Sequence, residues 1–172
     1  MRSLTIRDVS LIVVSIVVLA GLNFGIYQKE QIKQNGEIVF LELAPVDPRS
    51  LMQGDYMALR YAIESDARKD ASFEQKKLGK LVISTNENAV ANYVRFYEGE
   101  ALQENEKLMR YKKQHSVNIV PDSFFFQEGH AKYYESAKYG MFKFADPDNY
   151  LLVGLADEHR VEIIVEDTVP VE

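Results

Sequence analysis

Three histidines, His115, His130 and His159, are the only imidazoles in the chain. Holding a metal or serving as a general base on one helical face asks for a second ligand one turn away. None of the three has a histidine at i+4, and none belongs to an HExxH string. With no cysteine, a disulfide framework, a thiolate zinc site, an iron–sulfur cluster and a cysteine nucleophile are all excluded. Glu128 and His130 flank Gly129 at an expected helix start, where a carboxylate is favoured by the helix dipole. That structural role outweighs metal binding or base catalysis. Asp146-Pro147-Asp148-Asn149, with Asp157 further on, has some of the carboxylates of a calcium loop. It has Leu151 where the central glycine belongs and no closing bidentate glutamate, so it reads as a hairpin turn. GxSxG, Walker and GxGxxG strings are absent. No metal and no cofactor is expected, and a non-enzymatic role is favoured over an enzymatic one.

The richest polar string is Pro45-Val46-Asp47-Pro48-Arg49-Ser50-Leu51-Met52-Gln53-Gly54-Asp55-Tyr56. It resembles the nucleophile region of type I signal peptidases, but the residue three before Pro48 is Pro45, which cannot attack, and Ser50 lies on the wrong side of the proline. No lysine stands in a matching strand to act as base. Gly54 supplies a turn conformation closed to most side chains, and Asp55 can cap the turned backbone. Leu59 and Tyr61, two apart, share one strand face, expected to point inward. A buried tyrosine needs a partner for its hydroxyl, and Arg49 or Glu128 is the expected one. Asp47, Arg49, Asp55, Tyr61 and Glu128 are therefore expected to form one polar cluster, more readily a device that fixes the fold than a ligand site.

The elements that would position these residues are mostly strands. Ile38–Leu43 is an apolar run, and Tyr56–Ile63 alternates with Met57, Leu59, Tyr61 and Ile63 on one face. Leu81 and Ile83 open a strand that turns at Ser84–Asn88 into Val90–Tyr97. Leu108–Tyr111 and Val117–Val120 are weaker strands, followed by Phe124-Phe125-Phe126. A short helix is expected within Asp66–Leu78 with Phe73 inward, and another over Glu128–Lys138, with Gly140 as its left-handed C-terminal residue. Phe142–Ala156 reads as a hairpin and Val161–Val165 as a last strand. The expected fold is α+β: a single N-terminal transmembrane helix, then a largely antiparallel β domain with one or two short helices.

The transmembrane helix follows from Val9–Tyr27, which carries no ionisable group but its terminal tyrosine. Its length of ~28 Å matches a hydrocarbon core of ~30 Å. Val18-Leu19-Ala20 offers a cleavage site, but the apolar run continues through Leu22, Phe24 and Ile26, which favours an uncleaved anchor. Arg2 and Arg7 and a short tail favour a cytoplasmic N-terminus. The organisation expected is a tail over 1–8, an anchor in the inner membrane over 9–27, and an extracytoplasmic domain over 30–172. Gly21 and Gly25, with Asn23 between them, are a candidate helix-contact face, for another protein or a second anchor. Residues 1–28 hold two arginines and one aspartate, so of 20 Lys+Arg and 26 Asp+Glu the rest keeps 18 and 25, a net charge of −7. An acidic exported domain is no partner for nucleic acid.

Gly54-Asp55-Tyr56-Met57-Ala58-Leu59-Arg60-Tyr61 matches the string that names the GDYXXLXY family of bacterial proteins. The resemblance extends to Val46-Asp47-Pro48-Arg49, Phe126-Gln127-Glu128-Gly129, Tyr134, Ala137, Tyr139-Gly140 and Leu152–Leu155. It implies an envelope protein with one N-terminal anchor, often encoded beside multi-pass membrane proteins, and it brings no established activity. The expected partners are thus the lipid bilayer and a multi-pass membrane protein. A small-ligand or hydrolytic domain built on the polar cluster is the alternative.

Overall fold

The computed structural model describes residues 6–44, 52–53, 56–70, 78–113 and 116–165. Helix α1 (Ile6–Asn35) is one unbroken helix that runs past the apolar segment into Lys29–Asn35. Residues of good helical propensity carry it on, and side-chain bonds one turn apart, Gln34 Nε2 to Glu30 Oε1 at 2.9 Å and Asn35 Nδ2 to Gln31 Oε1 at 2.8 Å, reinforce its end. At ~45 Å it outlasts a ~30 Å hydrocarbon core. The helix is long and apolar enough to cross a membrane. Every described side chain from Ser10 to Gln31 is exposed, and then Ile32 is buried, 2% exposed.

Only Gly36 separates α1 from β1 (Glu37–Glu42). That strand pairs antiparallel with β9 (Tyr139–Asp146), and β9 with β10 (Asn149–Ala156) across the Pro147-Asp148 turn, giving the order β1-β9-β10. Alternation puts Val39 and Leu41 fully inside, against Phe142 and Phe144. The second sheet runs β5-β4-β6-β7, from β4 (Leu78–Thr85), β5 (Ala91–Phe96), β6 (Glu106–Lys113) and β7 (Val117–Ile119). Its β4–β5 turn is made by Asn86, whose Oδ1 accepts from the amides of Asn88 and Val90 at 2.9 and 3.0 Å. The third sheet is small: β2 (Met52–Gln53), β3 (Tyr56–Ala58) and β8 (Ser123–Phe125) in the order β2-β3-β8. Helices α2 (Ala62–Lys69) and α3 (Ala131–Tyr134) complete an α+β domain whose strand pairings are antiparallel. One core unites the layers, with Leu59, Tyr61, Leu81, Ile83, Met109, Ile119 and Phe142 at its centre.

Several expectations are corrected. The Tyr56–Ile63 alternation buries Met57, Leu59, Tyr61 and Ile63 as expected, but the ladder stops at Ala58. A single bridge from Tyr61 to Leu43 follows, and the chain coils into α2 at Ala62. The expected helix therefore starts earlier, because Ile63 and Ala67, one turn apart, share the buried face; Phe73 lies outside the described residues. Gly140 is not a helix end: it lies within β9, and α3 stops at Tyr134. Val161–Val165 forms no strand. Arg160 turns with φ 65°, the Asp157 carboxylate holds the amides of His159 and Val161 at 2.8 and 2.9 Å, and the chain returns only for an Ala156–Glu162 bridge.

Candidate functional site

Tyr61 is where the two matching ends of the domain meet. Its backbone is pinned on both sides, by the Ala44 amide donating to the Arg60 carbonyl and the Leu59 amide donating to the Asp122 carbonyl, both at 2.8 Å. The ring, 1% exposed, tilts against Phe142 with centroids 5.8 Å apart. A Cβ on Gly140 would stand 3.1 Å from Tyr61 Cε1 and 3.2 Å from Phe142 Cε2. Glycine at 140 thus leaves room for the tyrosine ring, a requirement of space and not of φ.

The Tyr61 hydroxyl donates to the Pro121 carbonyl at 2.9 Å. Neighbouring backbone is gripped as well. The Ile119 amide donates to Glu64 Oε1 at 2.9 Å, and the Tyr150 hydroxyl donates to the Val120 carbonyl at 2.7 Å while accepting from the Arg110 amide at 3.0 Å. Three side chains, from the residue capping α2, from α2 itself and from β10, therefore satisfy Ile119–Pro121, which contains the cis Val120–Pro121 bond. Buried backbone groups without such partners would cost about 1–3 kcal/mol each. Burial, with Glu64 adding to it, holds the Tyr61 phenol well above its ordinary range. Burial pushes Glu64 up to about 6, against the pull of the Ile119 amide and the Arg60 guanidinium. The cluster is a knot that organises backbone.

The other expected site residues lie elsewhere. Glu128 is exposed, in the turn before α3, where Gly129 takes φ +83°. It is not the partner of Tyr61, whose hydroxyl bonds Pro121 instead. Asp47, Arg49, Gly54 and Asp55 lie outside the described residues. The Tyr56 ring lies tilted beside that of Phe125, its register partner in β8, with centroids 5.8 Å apart. The motif strand and Phe124-Phe125 thus meet edge to edge in a ladder. A shallow cavity of about 380 Å³ beside them has Pro121, Phe124, Phe125, Leu151 and Leu152 in its walls, and neither Tyr61 nor Glu128. Among the described residues no group of His, Asp and Glu gathers as a metal site.

A second construction joins α1 to the domain. At Gly36 a Cβ would fall 2.5 Å from the Ile32 carbonyl oxygen and 2.9 Å from Lys143 Cβ, so the helix end and β9 approach as closely as backbone allows. Lys143 Nζ donates to the Lys33 carbonyl at 2.6 Å, giving a partner and a positive charge to the C-terminal end of α1. Glu37, the first strand residue, pairs at 2.8 Å with Lys107 of β6, whose ammonium lies 5.8 Å from the Phe144 ring centroid. Ile32 seats the helix, and no flexible segment intervenes.

Below the joint runs an open furrow of about 480 Å³ lined by Gly21, Leu22, Gly25, Ile26, Lys29, Glu30, Lys33 and Leu151. A Cβ on Gly21 or Gly25 would meet nothing within 4 Å. Asn23 does not share this face: two residues on is about 200° round a helix, and its amide donates back to the Leu19 carbonyl at 2.8 Å. The joint residues Ile32, Gly36 and Lys143 and the knot residue Glu64 escaped sequence reasoning. A lone glycine between Lys33-Gln34-Asn35 and an apolar run was the one signal available, for the joint. No curated protein and no solved structure matches the chain. A family model, that of the GDYXXLXY protein, matches residues 18–155, and the chain belongs to that family.

Proposed function

We propose that the protein is a non-enzymatic accessory subunit of the bacterial inner membrane. In this reading its N-terminus is cytoplasmic, α1 crosses the bilayer, and the acidic domain docks outside on a multi-pass membrane protein. The observation that carries the reading is the joint: helix and sheet are separated by Gly36 alone, with Ile32 buried. A domain that captures diffusing ligands works as well on a loose tether. A domain held at one height and one heading gains only when its counterpart is fixed in the same membrane, because the cost of orienting the two is already met. The class of neighbour is the one implied by the family resemblance, and Phe125, 73% exposed, is the kind of apolar surface such docking would cover.

The test is copurification of the full chain in mild detergent. Recovery of a defined multi-pass protein is expected, and a flexible Gly-Ser segment inserted between Asn35 and Gly36 should cut that recovery about tenfold while leaving membrane attachment intact. A chain that purifies alone, or recovery indifferent to the insertion, would sink the proposal.

A further inference from the structure

The furrow under the domain changes chemistry along its length. Its lower part is apolar and shallow-walled, where Gly21 and Gly25 leave space beside Leu22 and Ile26. Its upper part presents Lys29 and Lys33, one turn apart on the same face. Neither ammonium has a hydrogen-bond or ion-pair partner among the described residues, and the carboxylate in the furrow, Glu30, accepts from Gln34 at 2.9 Å. Two like charges at this spacing disfavour each other unless an anion sits between them. Leu151 of β10 closes the outer side, and its register partner Lys143 is occupied with the end of α1.

Depth decides which anion fits. Lys29 and Lys33 stand ~3 and ~9 Å beyond Tyr27, the end of the apolar run, along the helix axis. The headgroup layer on each side of a bilayer is about 5–8 Å thick. With Tyr27 near the edge of the hydrocarbon, the furrow turns from apolar to cationic at the level where a lipid turns from acyl chain to phosphate. We propose that this furrow seats one anionic phospholipid from the leaflet on the domain's side, its acyl chain along Gly21 and Gly25 and its phosphate between Lys29 and Lys33.

The inference rests on reading α1 as the anchor, which cosedimentation of the full chain with vesicles tests separately. The test of the seat is native mass spectrometry of the full chain released from nanodiscs of equal phosphatidylglycerol and phosphatidylcholine. One retained phosphatidylglycerol is expected, favoured about fivefold or more over phosphatidylcholine. In Lys29→Gln/Lys33→Gln the preference should fall to about one, and in Gly25→Leu the retained lipid should be lost; Lys132→Gln, outside the furrow, should change neither. Inorganic phosphate at millimolar concentration should not displace the lipid. Equal retention of the two lipids, a preference that survives the double lysine variant, displacement by inorganic phosphate, or a protein helix recovered in the furrow in place of lipid would each overturn the proposal. Loss of cosedimentation would instead remove the anchor reading beneath it.

Discussion

The anchor joint and the Tyr61 knot both hold backbone carbonyls with side chains, but they do so in different surroundings. In the knot, Tyr61, Glu64 and Tyr150 reach Ile119–Pro121 from within the core. In the joint, Lys143 reaches the Lys33 carbonyl in an exposed position, where water competes for both groups. What secures the joint is shape: the seat of Ile32 and the absent Cβ of Gly36. The knot therefore governs whether the domain is folded, and the joint governs which way a folded domain faces.

The comparison breaks most sharply at Tyr61. Tyr61→Ala should remove the ring from between Phe142 and Gly140 and orphan the Pro121 carbonyl, lowering stability by about 3–5 kcal/mol; urea unfolding of the full chain in micelles measures it. Gly36→Ala should cost less, about 1–3 kcal/mol, but should change the distance between a spin label on the domain and the bilayer surface. A change in unfolding with no change in that distance would dissolve the distinction between the two regions.

Glu64→Gln sharpens the knot through pH. The folded carboxyl titrates at about 6 against an ordinary 4.5, so the folded state holds its proton longer than the unfolded chain. Wild-type stability should fall as pH rises from about 4.5 to about 6 and stay at the lower level above it. The glutamine variant should lack this slope, equal to wild type near pH 4 and more stable by about 2 kcal/mol near pH 7. A parallel pair of pH curves would contradict the cause. The smallest effect is expected for Lys143→Gln. Losing an exposed grip on a helix end should cost under about 1 kcal/mol, visible as faster hydrogen exchange in the last turn of α1.

What could be read from the sequence follows the range over which each feature acts. The long apolar helix, the Phe142–Ala156 hairpin and the inward face of Met57, Leu59 and Tyr61 are patterned in neighbouring residues, and these are present. Gly140 was legible as a necessary glycine but not for its reason, because a left-handed turn and a close-packed ring demand the same residue. Glu64 carries no local mark of burial, since its partner is the backbone amide of Ile119, 55 residues away. The partner of Tyr61 was missed on the same ground: any of the chain's carbonyls can accept a phenol, and pattern does not say which. The helix continues to Asn35 on residues of good helical propensity, but the burial of Ile32 at its end is a tertiary fact that the apolar run alone cannot express.

Because one helix enters the sheet without a hinge, α1 acts as both ruler and compass. Each residue added to the apolar run lifts the domain by about 1.5 Å, and each residue added between Gly25 and Ile32 swings it by about 100°. With α1 crossing the bilayer as proposed, the permitted placements of the domain form a ladder of discrete steps. In that reading, a relative whose helix differed by a single residue would present a different flank to the proposed neighbour.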